Sequence, residues 1–256
     1  MPFFSTHLAP SSPPHVIAAT EDFAVIAKPA HLLIHPTRPD GQFTLLEWLR
    51  NHYPNREVSL VNRLDRETTG LVLAALNPEA ASVLGQMTMR REIRKEYLVL
   101  VKGCPEMAEA IIDMPIGRMG LDETNPVHVR QCVRDDGAPA QTEYRVLSSS
   151  GGYSLLRVKT MTGRLHQIRV HLSSIGTPVV GDKIYGPDPA LYLKFIAEGW
   201  TPELEQVLSL NHHALHAYSM SFSWQGETLR WSYPLPDDLA DFIIAHMSSA
   251  ESLLLG

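Results

Sequence analysis

The chain has 256 residues, 44% of them hydrophobic and 20% charged, which allows one large globular domain or two small ones. No apolar run approaches the ~20 residues of a membrane span, and the start, Met1-Pro2-Phe3-Phe4, has neither the basic region nor the apolar core of a secretory leader. The formal net charge of −6, taken globally, argues against a nucleic-acid partner, and two cysteines without metal spacing, Cys104 and Cys132, point to a reducing cytoplasm.

In chain order, residues 1–14 are rich in proline and serine and are expected to form a mobile tail. Val16–Ala19 and Phe23–Ala27 flank Glu21-Asp22, which predicts a hairpin ending at Lys28-Pro29. His31–Pro36 is expected to be extended. Thr44-Leu45-Leu46-Glu47 has the capping-box form and predicts a helix to about Tyr53, stopped by Pro54. Asn77-Pro78 starts a second helix, which runs into Arg90-Arg91-Glu92-Ile93-Arg94-Lys95. The strand Glu96–Val101 follows directly. Prolines and glycines break residues 104–140 into loops and short strands. Thr142–Leu147 and Tyr153–Thr160 form a hairpin across Ser148–Gly152, and a helix is expected from Arg164 to Ile175, closed by Gly176. Two helices near Pro189–Glu198 and Pro202–Leu210, a hairpin turning on Gln225-Gly226 and a helix near Asp237–Met247 complete the chain. Strands and helices mix without strict βαβ alternation. The expected class is therefore α+β, with a mixed, mostly antiparallel central sheet flanked by helices and loops.

The charge is segregated, and binding depends on the local field rather than on the sum. Arg90–Lys95 carries a net +3, while Arg157 to His171 holds Arg157, Lys159, Arg164 and Arg169 with no acid. Acids gather around Asp122–Glu123, Glu203–Glu205 and Asp237–Asp241. Two solvated charged faces and a nucleic-acid surface both fit this pattern.

The polar stretch Asn62-Arg63-Leu64-Asp65-Arg66-Glu67-Thr68-Thr69-Gly70 lies between the apolar runs Val58–Val61 and Leu71–Leu76. It holds an acid at the lip of a core, either as a surface Arg–Asp pair, worth only ~0–1 kcal/mol, or as a built site. In the helix expected from Arg164, Leu165, Ile168, Leu172 and Ile175 form one stripe, and Arg169 sits on its edge. No acid lies between Arg157 and Gly181, so Arg169 either snorkels to water or pairs with a distant acid, for which Asp65 is a candidate. Tyr97 shares a strand face with Val99 and Val101, as core or as the wall of a cleft.

These residues resemble the RluA-type pseudouridine synthases. Asn62–Gly70 is similar to that family's His-Arg-Leu-Asp-x-x-Thr-Ser-Gly signature, with Asn62 and Thr69 departing from it. Lys28-Pro29 with His35-Pro36, Lys95-Glu96-Tyr97, Pro115-Ile116-Gly117-Arg118, Thr162–Leu172, Gly181-Asp182-x-x-Tyr185-Gly186 and Leu215-His216-Ala217 resemble further family segments, in order, over about Val16 to Leu239. The resemblance implies an isomerase that converts uridine in structured RNA, transfer RNA or large-subunit ribosomal RNA, to pseudouridine. It implies Asp65 as nucleophile, Tyr97 packing on the base and acting in proton transfer, and Arg169 keeping Asp65 ionised. Arg63 would fill the space of the flipped base. Arg66, Arg90, Arg91, Arg94, Lys95, Arg164 and His166 are the other expected RNA contacts. No metal or cofactor is implied, and the amino-terminal RNA-binding domain of many relatives is expected to be absent.

The expected organisation is a single catalytic domain over residues 15–248, in two halves around a cleft, acting as a cytoplasmic monomer without a membrane partner, followed by a tail at 249–256. The alternatives are a non-catalytic RNA-binding or chaperone protein on the same fold, and a hydrolase using Asp65 as base. His212, His213 and His216 have a spacing suggestive of a metal site but lack the His-Glu-x-x-His pattern.

Overall fold

A computed structural model describes residues 8–36, 42–120 and 127–247; the acids Asp122–Glu123 and most of the two expected tails fall outside these. The fold is α+β on a mostly antiparallel sheet. The chain divides into two compact units, one formed by Ala9–Glu96 with His216–Pro234 and the other by Tyr97–Leu215 with the described residues from Leu235 onward and Leu8. They are called here the Asp65 unit and the Arg169 unit.

In the Asp65 unit, β1 (His15–Ala19) and β2 (Phe23–Lys28) form the expected hairpin. β2 pairs antiparallel along β4 (Thr69–Ala75), both strands buried throughout. Residues buried on both faces explain why these segments are continuous apolar runs rather than alternating ones. On its other edge β4 has two partners in succession. β3 (Ser59–Leu60) covers Ala74 and Ala75, and β11 (Leu215–Trp224) runs parallel beside Thr69 and Gly70. β12 (Glu227–Ser232) closes the hairpin on β11 across Gln225-Gly226, as anticipated, with both residues at positive φ.

Two helices pack in this unit. α1 (Leu45–His52) starts where Thr44 Oγ1 accepts from the Glu47 N–H, and α2 (Pro78–Met89) where Asn77 Oδ1 accepts from the Ala80 N–H. Both caps follow directly from the sequence. Phe23, Val25, Leu71, Leu73, Leu84, Met220 and Phe222 form the core between α2 and the sheet. His31–Pro36 is not a strand; it contains a turn with His31 at φ 64 and a single bridge from Leu33 to Thr44.

In the Arg169 unit the strands lie in the order β5 (Arg94–Lys102, which enters from the Asp65 unit), β10 (Tyr153–Thr160), β9 (Gln141–Ser150) and β6 (Glu109–Asp113). β9 runs through Ser150, so the β9–β10 turn is only Gly151-Gly152, with φ of 63° and 83°. That is the pair of left-handed residues a tight hairpin turn needs. β7 (Ile116–Arg118) and β8 (Gln131–Val133) make a small separate sheet. α3 (Gln167–Ser174) lies against Ile116, Val127, Ala140, Ile184 and Tyr185 through Val170. α4 (Ala190–Glu198) and α5 (Pro202–Leu208) enclose Phe195, Leu204 and Leu208, and α6 (Asp237–His246) ends the described chain. Among the described residues no helix is long and apolar enough to cross a membrane.

Candidate active site

The stretch Asn62–Thr68 is the piece of chain that leaves the sheet between β3 and β4. Its departure is fixed at Leu73. The Val61 N–H donates to the Leu73 carbonyl, and Asn62 Oδ1 accepts from the Leu73 N–H at 2.7 Å. The side chain of Asn62 thus stands in for the next backbone acceptor of the ladder. That is the task of the residue that replaces the family's usual histidine. Among the described residues its Nδ2 is buried without a hydrogen-bond partner.

The loop then turns at Asp65, whose carbonyl accepts from the Thr68 N–H at 3.1 Å. It rejoins the sheet at Thr69-Gly70, where both residues are buried. Thr69 Oγ1 lies 2.8 Å from His216 Nδ1, and His216 Nε2 donates to the Tyr233 carbonyl at 2.9 Å. A carbonyl only accepts, so Nε2 carries a proton. Gly70 adopts φ 107°, and a Cβ there would lie 2.3 Å from the Ala217 oxygen. His216-Ala217 is therefore the seat on which the end of the signature rests.

Lys28 braces the loop from beneath. It is 1% exposed, and its Nζ donates to the carbonyls of Pro29, Leu32 and Arg66 at 2.9, 3.0 and 2.9 Å. The third of these belongs to the residue after Asp65, so one ammonium ties the end of β2 to the turn carrying the acid. Burial lowers the Lys28 pKa to about 7, opposed by the charge of nearby Asp65. An unfolded lysine keeps its proton to about pH 10.5. Between pH 7 and that value the unfolded state binds the extra proton, so the unfolding free energy rises with pH across this window. Urea unfolding of the wild type should gain roughly 1–3 kcal/mol from this group between pH 7 and pH 9. Lys28→Met should lose that gain, and an unchanged pH dependence would refute the assignment.

The expected RNA-binding residues differ in their settings. Arg63 is exposed. Arg66 is turned into the protein, with Nε donating to the His31 carbonyl at 3.2 Å and Nη1 to Gln42 Oε1 at 3.4 Å. Arg90, Arg91 and Arg94 are exposed, and Lys95 is half-buried, with desolvation lowering its pKa. Arg91 closes α2 at φ 60°, with its own N–H donating to the Thr88 carbonyl and the Glu92 N–H to the Met87 carbonyl. Glycine is the usual occupant of such a helix end. A non-glycine residue there presents a side chain at some conformational cost.

In the Arg169 unit, α3 begins three residues later than the sequence pattern predicts. Gln167 Oε1 accepts from the Arg164 N–H and the Thr162 hydroxyl, and its Nε2 donates to the Gln141 carbonyl and to Thr142 Oγ1. These bonds hold Thr162–His166 as a loop, with His166 at φ 56° and Arg164 and Leu165 exposed. Leu165 is thus outside the buried stripe, while Gln167 through Leu172 are all buried. His171 Nε2 donates to the Met114 carbonyl and its Nδ1 lies 2.9 Å from Thr142 Oγ1; desolvation lowers its pKa.

Arg169 is 4% exposed and meets an acid of its own unit. Its Nε and Nη2 donate to Asp182 Oδ2 and Oδ1 at 2.6 and 2.8 Å. Asp182 lies one residue beyond the acid-free stretch, and a side chain this buried does not snorkel to water. Burial alone would raise the Asp182 carboxyl. The Arg169 guanidinium and the main-chain N–H groups of Tyr185 and Ile184 reverse this and hold it below the ordinary carboxylate range. The guanidinium carbon of Arg169 sits 5.0 Å from the Tyr185 ring centre. The Tyr185 hydroxyl accepts from the Gln131 N–H at 2.9 Å and lies 2.8 Å from His166 Nδ1. Tyr97, on β5, is 8% exposed.

The histidines singled out as a possible metal set are otherwise engaged. His216 holds Thr69, as above. His212 Nε2 pairs with Asp238 Oδ2 at 2.7 Å, and its Nδ1 donates to the His213 carbonyl. His213 is buried, and desolvation and then the Arg169 charge hold its pKa well below the ordinary histidine value. Among the described residues no group of three or more His, Cys, Asp or Glu side chains is placed to hold a metal.

Residues 22–174 match the RNA pseudouridylate synthase family. The chain is 37% identical over 250 residues to "Ribosomal large subunit pseudouridine synthase D" of Nitrosomonas europaea, covering 94% of this chain and 67% of that one. It is 32% identical over 243 residues to the protein of the same name in Haemophilus influenzae, covering 93% and 72%. Among solved structures it is similar to Human RNA Pseudouridylate Synthase Domain Containing 1, with TM-score 0.68 and 25% identity over 94% of this chain and 98% of that one. This chain belongs to the RNA pseudouridine synthases of the RluA type and is an RNA uridine isomerase.

Proposed function

We propose that Asp65 is the nucleophile of this isomerisation and that the substrate is a uridine of large-subunit ribosomal RNA. The observation that carries the first part is the bracing of the Asp65 turn. Lys28 holds the Arg66 carbonyl, Asn62 holds Leu73, and His216 and Ala217 seat Thr69 and Gly70. A carboxylate on a loop fixed at both ends and in the middle is preorganised for attack. The names of the relatives support the second part.

In the proposed reaction the N1–C1′ bond breaks while the base is held, the base rotates, and a C5–C1′ bond forms. The hydrogen of C5 leaves to solvent and N1 gains a proton. Asp65 supplies the transient covalent attachment. Tyr97 packs on the base and serves the proton transfer, and Arg169 supplies the cation that favours an ionised carboxylate. Flipping the uridine costs a few kcal/mol, which Arg63 offsets by filling the vacated stack. The exposed Arg90, Arg91, Arg94 and Arg164 contact phosphates, giving affinity that falls with salt despite the net charge of −6. The working unit is a monomer.

Pseudouridine mapping in RNA from cells with and without this gene tests the substrate. Loss of a pseudouridine in large-subunit ribosomal RNA is expected. Loss confined to transfer RNA would reassign the substrate, and an unchanged map would contradict the proposal.

A further inference from the structure

We infer that Asp182 is the positioning residue of the reaction: it fixes the plane of the Arg169 guanidinium, so that removing its charge lowers turnover without weakening RNA binding. This rests on the reading that Arg169 serves the nucleophile. The carboxylate of Asp182 is fully buried and is itself fixed, because Oδ1 accepts from the Ile184 and Tyr185 N–H groups at 2.9 and 3.0 Å. The turn it caps admits little movement. A Cβ on Gly181 would lie 2.1 Å from the His212 oxygen, and one on Gly186 would lie 2.2 Å from the Asp182 oxygen. A rigid acceptor pair of this kind sets both the position and the tilt of a forked donor through two parallel bonds. The ring of Tyr185 then lies against the guanidinium, and that ring is pinned through its hydroxyl by Gln131 and His166.

Stability alone gives little reason for this arrangement. A buried ion pair often matches a well-packed apolar pair in stability or falls below it. What two bonds, a ring face and two crowded glycines provide is one orientation of one cation. Catalysis by a preorganised charge depends on such an orientation.

Asp182→Asn separates the two tasks. The amide oxygen can still accept from Ile184, Tyr185 and Arg169 Nη2, while its NH2, a donor facing the donating Arg169 Nε, removes the charge and one of the two fork bonds. With folding verified by circular dichroism, kcat on an RNA substrate should fall about 100-fold, with KM and RNA affinity within threefold of wild type. Arg169→Lys keeps the charge without the fork and should fall similarly, and the double variant should be no worse than either single one. A folded Asp182→Asn protein with kcat within threefold of wild type overturns the inference, as does a loss expressed only in KM. If Asp182→Asn fails to fold, Arg169→Lys decides: near-normal kcat overturns the inference, and a large loss at unchanged KM supports it. Near-normal kcat in both Arg169→Lys and Arg169→Ala would instead sink the underlying reading of Arg169, whereas loss in Arg169→Ala with none in Asp182→Asn sinks the positioning role alone.

Discussion

Asp65→Asn is expected to lower pseudouridine formation by at least ~10⁴-fold, the scale on which removal of a nucleophile is felt. The substituted amide has nearly the same shape, so the Asp65–Thr68 turn, closed by a main-chain bond, should persist. RNA affinity should stay within about threefold, because phosphate contacts supply most of it. A secondary effect is specific to this loop. Asp65 is the larger of the two charges, with Glu67, that oppose desolvation of Lys28. Without it the Lys28 pKa falls further, so the rise in stability from pH 7 to pH 9 should be larger in the variant than in the wild type. Single-turnover assays with a matched filter-binding titration separate the cases. A variant that binds and still turns over would remove Asp65 from the mechanism, whereas one that neither binds nor folds would leave the loop a purely structural role.

Gly70→Ala is the second large effect and acts on the fold. An alanine at φ 107° is strained, and its Cβ would lie 2.3 Å from the oxygen and 2.7 Å from the nitrogen of Ala217, both backbone atoms of a paired strand. Neither can swing aside as a flexible side chain would, so the parallel contact of β4 with β11 must open. The strain costs ~1–3 kcal/mol and the broken pairing adds to it, giving a loss of about 4 kcal/mol or more. For a protein of this size that lowers Tm by roughly 10 °C or more. Activity should fall with it, since the Thr69–His216 contact shares the same joint. A Tm within about 2 °C of wild type would show that this seat is not needed.

Much of the fold was legible because local signals coincided with tertiary need. Thr44 and Asn77 cap α1 and α2 where hydroxyl and amide side chains were followed by helix-forming runs. Gln225-Gly226 turned the last hairpin for the same kind of reason. The departures each have a physical source. α3 starts later than hydrophobic spacing implies because a buried glutamine, Gln167, gathers the loop before it through four hydrogen bonds, and that spacing does not register its side chain. Leu165 fitted the apolar period and still lies on the surface. The β9–β10 turn is shorter than its serine-rich sequence implies, because two glycines at positive φ suffice.

The candidate site was legible in its acid and less so in its supports. Lys28 sat at the end of a hairpin in the sequence, with nothing in pattern or propensity to show it buried against three carbonyls. Its partners Pro29 and Leu32 are near in sequence, but Arg66 is 38 residues away. Arg66 carried the expectation of an RNA contact from its place beside Asp65, yet its guanidinium holds the turn at His31. Asp182 stands in the family-like segment Gly181-Asp182-x-x-Tyr185-Gly186, but its pairing with Arg169 is not among the expectations. Its signal was present as a lone acid one position beyond a basic, acid-free stretch, followed by a tyrosine three residues on.

The most direct test of the central claim is the release of tritium from RNA carrying [5-³H]uridine. Moving the glycosidic bond to C5 must expel that hydrogen, whereas binding, chaperoning or hydrolysis at another bond need not. Purified wild-type protein should release tritium from large-subunit ribosomal RNA in proportion to pseudouridine formed, and the Asp65→Asn protein should release none above background. Absence of release by the wild type on any RNA that it binds, or equal release by both proteins, would contradict the account.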